Sequence, residues 1–370
     1  MKVLYVTTIS LTMNSFFKPH IEMLVCEGHH VDIACNYRDL PLDKLYSQLG
    51  CGFHQVDFSR SPLSSDNMKA FRQLKAIVRN GSYDIVHCHT PNASVITRLV
   101  CRKLRKNSEL KVFYTAHGFH FYKGAPKLNW MFFYPVEKFC SRFTDKLITI
   151  NTEDYELAKS KFKAKEICYV PGVGIDLSRF ENIQVDRSEK RREIGVPEDA
   201  FLLLSVGELN ANKNHQVIVK ALAKLNNPNV HYAIAGIGDK RDYLLELASS
   251  LGVSEQVHLL GYRKDIPELN HSADAFCFPS HREGLGLAAI EAMACGLPVV
   301  AAENRGTKSF ILNDHNGYLC ISDSIEEFAS VIDSLISDNH SRKVPLDGCN
   351  TALRFSINSV LKEMRKIYFD

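Results

Sequence analysis

The sequence predicts an α/β protein built from two Rossmann-like halves, each a parallel sheet covered by helices on both faces. Short runs rich in Val and Ile alternate with helical patterns, and such runs are typical of parallel strands buried on both faces. The alternation stops once, in a polar and charged stretch at 181–197, and then restarts. The length of 370 residues also favours two domains, since single cores stop growing near roughly 250–300 residues.

The first half contains five predicted strands with helices between them. The strands are KVLYVTT (2–8), HVDIAC (30–35), YDIVHCHT (83–90), KVFYTAHG (111–118) and KLITIN (146–151), and the helices cover 16–28, 67–79 and 92–106. The second half repeats this pattern. Its strands are FLLLSVGEL (201–209), VHYAIAG (230–236), VHLLG (257–261), AFCFPS (275–280) and PVVAAE (298–303), and a last amphipathic helix covers about 355–368.

Composition excludes several classes of protein. A net charge of +3 is too small to indicate nucleic-acid binding. The eleven cysteines show no C-x-x-C motif, which indicates reduced thiols in the cytosol and argues against disulfides or a zinc site. His87 and His89 end one strand, but the sequence offers no third ligand. The chain starts directly in a strand and has no apolar run of about 18 residues, so we expect neither a signal peptide nor a membrane span.

Ligands of open parallel sheets bind at the carboxyl ends of the strands, so the residues that follow each strand matter most. The loop after the first strand lacks the G-x-G-x-x-G of dinucleotide-binding folds, which argues against an NAD or FAD cofactor. Its polar residues with Phe16 and Phe17 fit either the wall of a pocket for a partly apolar substrate or a helix entry with buried rings. His117 ends another strand, where it is either a hydrogen-bond donor to a ligand or a structural histidine.

In the second half, Gly207 and Lys213 follow one strand, and a lysine there can contact phosphate. Gly236 and Gly238 follow the next strand, and Tyr262 with Arg263 follow a third, where they either frame a base or lie on the surface.

The segment HREGLGLAAIEAMACG (281–296) places Glu283 in a glycine-rich turn and Glu291 in the helix that follows. The N-terminus of a helix binds phosphate through free amides and a partial positive charge. We expect that charge to keep both carboxylates ionised, and ionised carboxylates accept hydrogen bonds from sugar diols. The alternative is that Glu283 only complements the helix dipole and that Glu291 is a solvated helix residue.

Taken together, these motifs resemble the retaining glycosyltransferases of family four, in particular bacterial enzymes that make cell-surface and exopolysaccharides. The E-x7-E of Glu283 and Glu291 is followed by AMACGLPVVA, and seven further segments occur in the family's order. They are DIVHCHTP, TAHGFH, PGVGID, SVGELNANKN, IAGIGD, LGYRKDI and PSHREGLGL. The resemblance covers about residues 1–320.

The resemblance implies a GT-B fold, with two Rossmann-like domains facing a central cleft and a C-terminal helix that crosses back to the N-terminal domain. Residues 1–172 plus 355–370 are then the acceptor-binding domain, and 173–354 the nucleotide-sugar-binding domain. It also implies retaining, metal-independent transfer of a hexosyl or N-acetylhexosaminyl group from a nucleoside-diphosphate sugar, with a UDP-sugar as the expected donor and no other cofactor. The expected acceptor is a hydroxyl of a glycan, lipid-diphosphate-linked, in surface polysaccharide synthesis.

The resemblance further implies roles for single residues. Glu283 would hold hydroxyls of the donor sugar, His117 would lie near its 6-hydroxyl, and Lys213 would contact the diphosphate; these three are the expected catalytic residues. Glu291 would bind the ribose and Arg263 would lie near the base. The full donor-binding set is Glu291, Gly207, Gly236, Gly238, Arg263, Gly284, Leu285, Gly286 and Leu287, and the expected acceptor-side set is Ser15, Phe16 and His120.

One departure concerns Glu208, which stands where the family usually has an arginine that helps to neutralise the diphosphate. This gives weight to the alternative of a non-catalytic sugar-nucleotide-binding protein. A second alternative is a sugar-nucleotide epimerase, which shares the two-lobed architecture. A glycosidase fits less well, because its two carboxyl groups must oppose each other across the scissile bond.

The stretch 122–146 mixes Trp130, Phe132, Phe133 and Tyr134 with lysines and arginines. It lies within 98–146, which holds eleven basic and three acidic residues. Such a segment indicates contact with an anionic membrane surface, and hence a cytoplasmic protein that binds the inner face of the plasma membrane. The alternative is a core helix with a solvated basic face.

Overall fold

The chain folds into two units, and the computed structural model describes residues 1–105, 109–180, 183–338 and 347–370. Unit 1 comprises Met1–Gly174 and Ile357–Asp370, and unit 2 comprises Ile175–Ser356. The sequence had placed the corresponding boundaries at 172 and 355.

The sheet of unit 1 has seven parallel strands in the order β3-β2-β1-β4-β5-β6-β7. Its strands are β1 (Lys2–Ile9), β2 (His30–Asn36), β3 (Gly52–Gln55), β4 (Ile85–His89), β5 (Lys111–Ala116), β6 (Lys146–Thr149) and β7 (Glu166–Tyr169). The helices that cover it are α1 (Ser10–Phe16), α2 (Lys18–Cys26), α3 (Lys44–Gln48), α4 (Asp66–Gly81), α5 (Pro91–Leu104), α6 (Lys127–Ser141) and α7 (Thr152–Lys161). The strand order reverses between β1 and β4, so the connections on the two sides of this point diverge.

The sheet of unit 2 has six parallel strands in the order β10-β9-β8-β11-β12-β13 and reverses between β8 and β11. Its strands are β8 (Phe201–Val206), β9 (Val230–Ala235), β10 (Val257–Gly261), β11 (Ala275–Phe278), β12 (Val299–Ala302) and β13 (Tyr318–Cys320). Its helices are α8 (Arg187–Glu193), α9 (His215–Leu225), α10 (Arg241–Ser250), α11 (Ile266–Ser272), α12 (Leu287–Ala294), α13 (Ile325–Asp338) and α14 (Gly348–Leu353).

The last helix, α15 (Ile357–Phe369), belongs to unit 1. Its Tyr368 is buried, bonds to Nδ1 of His87 on β4, and donates to the Tyr5 hydroxyl at 3.1 Å. Lys146 Nζ donates to the carbonyl of Ile367 at 2.9 Å. The predicted return of the C-terminal helix to the N-terminal domain is therefore present.

Two predictions about the first half need correction. The residues after β1 form helix α1 directly, where a polar loop was predicted. The predicted helix 16–28 is interrupted at Phe17, which separates α1 from α2, and Pro19 lies in the first turn of α2. The sequence signal for α1 is weak because Ile9 at its N-cap offers no side-chain hydrogen bond. Tertiary contacts stabilise α1, including a hydrogen bond from Ser10 Oγ to Leu40 O at 2.5 Å.

The predicted helix 92–106 corresponds to α5, and its residue 106 lies outside the described residues. The predicted linker 181–197 contains α8, and its residues 181 and 182 lie outside the described residues as well. All eleven cysteines are free thiols. Among the described residues, the structure contains no helix with both the length and the apolar character needed to cross a bilayer.

Candidate active site

Unit 2 brings two of the predicted catalytic side chains together at the carboxyl ends of β8 and β11, where its strand order reverses. Lys213 Nζ lies 2.6 Å from Glu283 Oε1, and both side chains are largely buried. The two loops that carry them are joined by hydrogen bonds through Asn212, whose carbonyl accepts from His281 N at 2.9 Å and whose Nδ2 donates to Arg282 O at 3.0 Å. The ion pair is therefore held on a fixed backbone.

The predicted glycines have different explanations. A Cβ at Gly207 would lie 3.3 Å from Cδ and Cε of Lys213. The missing side chain therefore allows the aliphatic part of Lys213 to pack closely against the end of β8. A Cβ at Gly236 would lie 1.8 Å from the carbonyl oxygen of Gly207, and one at Gly238 would lie 2.3 Å from that of Leu209. Backbone packing therefore already accounts for Gly236 and Gly238, whose predicted approach to a donor stays a prediction.

The turn 284–286 leads into the N-terminus of α12. Gly286 is its N-cap with φ of +109°, a conformation that favours glycine. The side chain of Leu285 is buried, and the N–H groups of Leu285 and Gly286 donate no hydrogen bond to any residue that the structure describes. Leu287 opens the helix. These amides and the helix dipole form an anion-binding end next to the ion pair of Lys213 and Glu283.

Glu291, on α12, differs from its expected state. Burial raises its pKa to about 7, and the charge of Arg179 opposes this shift only in part. The expectation was a fully ionised carboxyl, whereas a pKa of about 7 leaves it only partly ionised at neutral pH, because burial removes hydration from the charged form. The carboxyl is poised to change its charge near neutral pH.

Arg263 is occupied by carboxylates of its own unit. Its Nε donates to Asp265 Oδ1 at 2.7 Å and its Nη2 donates to Glu193 Oε1 at 2.5 Å, and these bonds raise its pKa. Lys190 pairs with the same two carboxylates at 2.9 and 2.6 Å. The network ties α8 to the loop after β10, a structural role that sequence reasoning missed. Tyr262 next to it is exposed.

Arg305 is a candidate functional residue that the sequence analysis did not identify. It follows β12, its side chain is buried, and its Nε donates to the backbone carbonyl of Glu283 at 3.3 Å. Gly306 makes this approach possible, since a Cβ there would lie 2.7 Å from Leu285 O and 2.9 Å from Glu283 Cβ. Glu208, by contrast, is exposed and accepts from Asn210 Nδ2 at 2.8 Å. The usable signal for Arg305 was its place directly after a predicted strand.

In unit 1, His117 follows β5 and belongs to a cluster of rings at the sheet's carboxyl edge. Its Nε2 lies 3.2 Å from Nδ1 of His89, whose ring lies 4.2 Å from that of Phe17. Burial lowers the pKa of His117 to about 4, and His20 acts in the same direction. Burial likewise holds the pKa of His89 well below its usual value. His117 is therefore a neutral imidazole at neutral pH, which can donate or accept one hydrogen bond per nitrogen.

The three predicted acceptor-side residues do not lie together. His120 lines a cavity of about 400 Å³ at the carboxyl ends of β1 and β4, whereas Ser15 and Phe16 are exposed on α1 and do not line it. Phe17, considered with Phe16 as a pocket wall, is buried. Within the described parts of the chain, no group of three or more His, Cys, Asp or Glu side chains is arranged to hold a metal ion.

Comparison with known families gives two matches that together cover most of the chain. The family of glycosyl transferases group 1 matches residues 186–345, and the glycosyl transferase 4-like family matches residues 2–151.

Two relatives match along nearly the whole chain. EpsD of Bacillus subtilis, described as a glycosyltransferase, is 37% identical over 99% of this chain and 96% of its own length. A UDP-Gal:α-D-GlcNAc-diphosphoundecaprenol α-1,3-galactosyltransferase of Escherichia coli is 26% identical over 94% of this chain and 91% of its own.

Solved structures share the fold. HepE of Anabaena, determined in complex with UDP-glucose, superposes with a TM-score of 0.80 at 20% identity, over 100% of this chain and 99% of its own. WaaG, a glycosyltransferase involved in lipopolysaccharide biosynthesis, superposes with a TM-score of 0.72 at 19% identity, over 99% of each chain. The predicted fold and family are confirmed, and the chain belongs to the glycosyl transferases of group 1, the GT4-type glycosyltransferases with a GT-B fold.

Proposed function

We propose that this glycosyltransferase moves a hexosyl or N-acetylhexosaminyl group from a UDP-sugar to a hydroxyl of a lipid-diphosphate-linked glycan, with retention of configuration and without a metal ion. The ion pair of Lys213 and Glu283 beside the amide-lined end of α12 carries the proposal. A cation, free amides and a carboxylate lie within one small site, and a sugar nucleotide needs these three groups for its diphosphate and its sugar hydroxyls.

The proposed chemistry is electrostatic. The bond between the anomeric carbon and the phosphate oxygen breaks, and Lys213 and the α12 amides stabilise the charge that develops on the leaving UDP. The acceptor hydroxyl forms the new bond from the same face and gives its proton to the leaving phosphate oxygen. Glu283 is ion-paired with Lys213 and is assigned to the sugar hydroxyls, not to nucleophilic attack. His117 of unit 1 stays a predicted contact to the donor sugar.

Arg305 supplies the second positive charge that the family usually places at position 208. The residue is buried next to the turn that carries Glu283, and a guanidinium suits a diphosphate because it donates two parallel hydrogen bonds. Glu208 is exposed and takes no part in this arrangement.

The relatives support the donor and the acceptor. The name of the Escherichia coli relative specifies a UDP-sugar donor and an acceptor linked to undecaprenol through diphosphate, and HepE is bound to UDP-glucose. By analogy we assign the same two substrate classes to this chain, in the synthesis of a surface polysaccharide.

Helix α6 supports attachment to the cytoplasmic face of a membrane. Large apolar side chains are exposed along one side of it, which we call the α6 face: Leu128, Met131, Phe132, Val136 and Phe139. Lys123, Lys127 and Arg142 flank the face, and Glu137, the acidic residue of α6, is buried and paired with Arg98 at 2.8 Å. Trp130, Phe133 and Tyr134, which the sequence analysis also assigned to the interface, are partly buried and pack against the core of unit 1. An apolar face with basic flanks is suited to anionic lipid.

Glu283→Gln is expected to lower kcat by about 10²–10³-fold, since the carboxylate contacts are strongest where charge develops. The assay follows UDP release from a panel of UDP-sugars with a diphosphate-linked glycan acceptor, and NMR of the product reports the anomeric configuration. Glu303→Gln is the matched control, because Glu303 is exposed and paired with a lysine, Lys308. Near-normal turnover in Glu283→Gln would contradict the assignment, and binding of UDP-sugars without any turnover in the wild type would indicate a non-catalytic protein.

Arg305→Ala is expected to weaken UDP binding about 10–100-fold, because a charged hydrogen bond contributes about 1.5–3 kcal/mol. Isothermal titration calorimetry measures this, and Arg305→Lys should lie between Ala and wild type. Adding Glu208→Arg to Arg305→Ala should restore much of the affinity if the two positions serve the same phosphates. Unchanged UDP affinity in a folded Arg305→Ala protein is incompatible with this role.

Binding of UDP-glucose is expected to weaken about tenfold from pH 8 to pH 6, if ribose binding needs the ionised form of Glu291. The pKa of about 7 means that the carboxyl is mostly charged at pH 8 and mostly protonated at pH 6. Glu291→Gln should bind weakly and show a much flatter pH profile, while Glu303→Gln should keep the wild-type profile. A profile that is equally steep in Glu291→Gln and the wild type would show that another group titrates.

Binding to vesicles that contain phosphatidylglycerol is expected to fall at least tenfold in Leu128→Asp/Met131→Asp, because burial of one such side chain contributes about 1.5–3 kcal/mol. Co-sedimentation measures the bound fraction, and Leu245→Asp/Leu251→Asp, at exposed sites of unit 2, is the matched control. Equal binding to anionic and neutral vesicles would contradict the proposal that the α6 face binds an anionic membrane surface.

A further inference from the structure

Unit 1 contains two adjoining cavities of opposite character. The first, called the strand-end cavity, has a volume of about 400 Å³ and lies where β1 and β4 end; Thr8, Thr12, Thr90 and Arg60 are among the residues that line it. The second, called the apolar cavity, has a volume of about 530 Å³. Aromatic and aliphatic side chains dominate its wall, chiefly Val95, Ile96, Phe119, Phe121, Phe132 and Val136.

The two cavities share part of their walls. Pro62, Pro91, Asn92, His120 and Phe133 line both of them. Asn92 Nδ2 donates to the carbonyl of Arg60 at 2.7 Å and His120 stacks on Phe133 at 4.7 Å, so the shared wall is well fixed. One molecule that occupied both cavities would need a polar end and an apolar end.

The charges in the two walls fit an amphiphile with an anionic head. Arg60 is exposed at the strand-end cavity, where a guanidinium can bind phosphate. Glu137, the carboxylate in the apolar wall, is paired with the buried Arg98 and adds no uncompensated charge there. At about 30 Å³ per small group, the share of one water in the liquid, the apolar cavity of about 530 Å³ holds on the order of fifteen to twenty carbon atoms.

The apolar cavity is also continuous with the α6 face. Phe132 belongs to that face and to the cavity wall, and its side chain is 62% exposed. Leu63 also lines the cavity and is 94% exposed. A hydrocarbon chain that enters from a bilayer at the α6 face would therefore meet apolar side chains along its whole path.

We propose that the apolar cavity binds the first part of the hydrocarbon chain of the lipid-linked acceptor, while its phosphate-bearing head lies in the strand-end cavity near Arg60. This inference rests on the proposed class of acceptor and assigns to it a site within unit 1. The site lies next to the carboxyl ends of β1 and β4, where the sheet order reverses. Chain recognition then comes from burial of apolar surface, and head recognition from the guanidinium of Arg60, since the hydroxyls of Thr8 and Thr90 already bond to each other and to the His89 carbonyl.

Farnesyl diphosphate, with fifteen carbons and an anionic head, is the probe, and the full chain is titrated without vesicles or sugar nucleotide. Trp130 is the single tryptophan of the protein, and its ring lies 5.5 Å from that of Phe121 in the apolar wall. Its fluorescence is expected to change saturably with farnesyl diphosphate and not with inorganic diphosphate.

Two variants act on the apolar cavity and one controls for the change of charge. Val95→Phe fills the cavity, and Leu63→Asp places a carboxylate at its edge on a side chain so exposed that the fold is not at risk. Both should weaken binding of the probe at least tenfold. Leu312→Asp, at an exposed site of unit 2, should bind as the wild type does.

Equal binding of inorganic diphosphate, or wild-type affinity in both cavity variants, would overturn the inference. Tighter binding of monomeric short-chain phosphatidylglycerol than of farnesyl diphosphate would also overturn it, since the occupant would then be a bilayer lipid. UDP calorimetry on the same samples separates the two proposals. Absence of the fluorescence change with farnesyl diphosphate, together with intact UDP binding, would contradict only the proposed hydrocarbon-chain site. Absence of UDP binding, together with an intact fluorescence change, would contradict only the proposed donor site.

Discussion

The reversal of strand order in each parallel sheet is the constraint on which both candidate sites depend. At this point the connections leave neighbouring strands in opposite directions, and their carboxyl ends are not covered by a crossing segment. In unit 1 the reversal lies between β1 and β4, beside the strand-end cavity. In unit 2 it lies between β8 and β11, beside Lys213 and Glu283. Side chains far apart in sequence meet there because the sheet leaves space only at that edge.

The charges of the unit 2 site compensate one another only in part, and the excess is positive. Lys213 and Glu283 neutralise each other, Arg305 lies against the same turn, and Glu291 is only partly ionised near neutral pH. The remaining positive charge suits a dianionic diphosphate. Arg263 and Lys190 show the contrast, since two carboxylates hold them in a network that ties α8 to the sheet.

Sequence reasoning located the buried strands well, because β1, β4, β8 and β9 carry runs of apolar residues buried on both faces. It missed β3, β7 and β13, whose GFHQ, EICY and YLC are short and half-exposed at sheet edges. The rule that ligands bind at strand ends found Glu283, Lys213 and His117. The same rule was not applied to Arg305, which follows β12, and the local sequence does not reveal its contact with the 283–285 turn because that contact is tertiary. The charge of Glu291 was misjudged for a similar reason: burial depends on neighbours that the segment itself does not reveal.

The position of α15 has a consequence for biosynthesis. Unit 2 is one continuous stretch of chain, whereas unit 1 needs residues from both sides of that stretch. Until residues 357–369 have been made, the sheet of unit 1 lacks Tyr368, and Nδ1 of His87 lacks the hydrogen-bond partner that it has in the folded unit. Domains usually fold as units during synthesis, the N-terminal one first. In this chain unit 2 has all of its residues before α15 is made, so the unit whose synthesis starts first is the last to be complete.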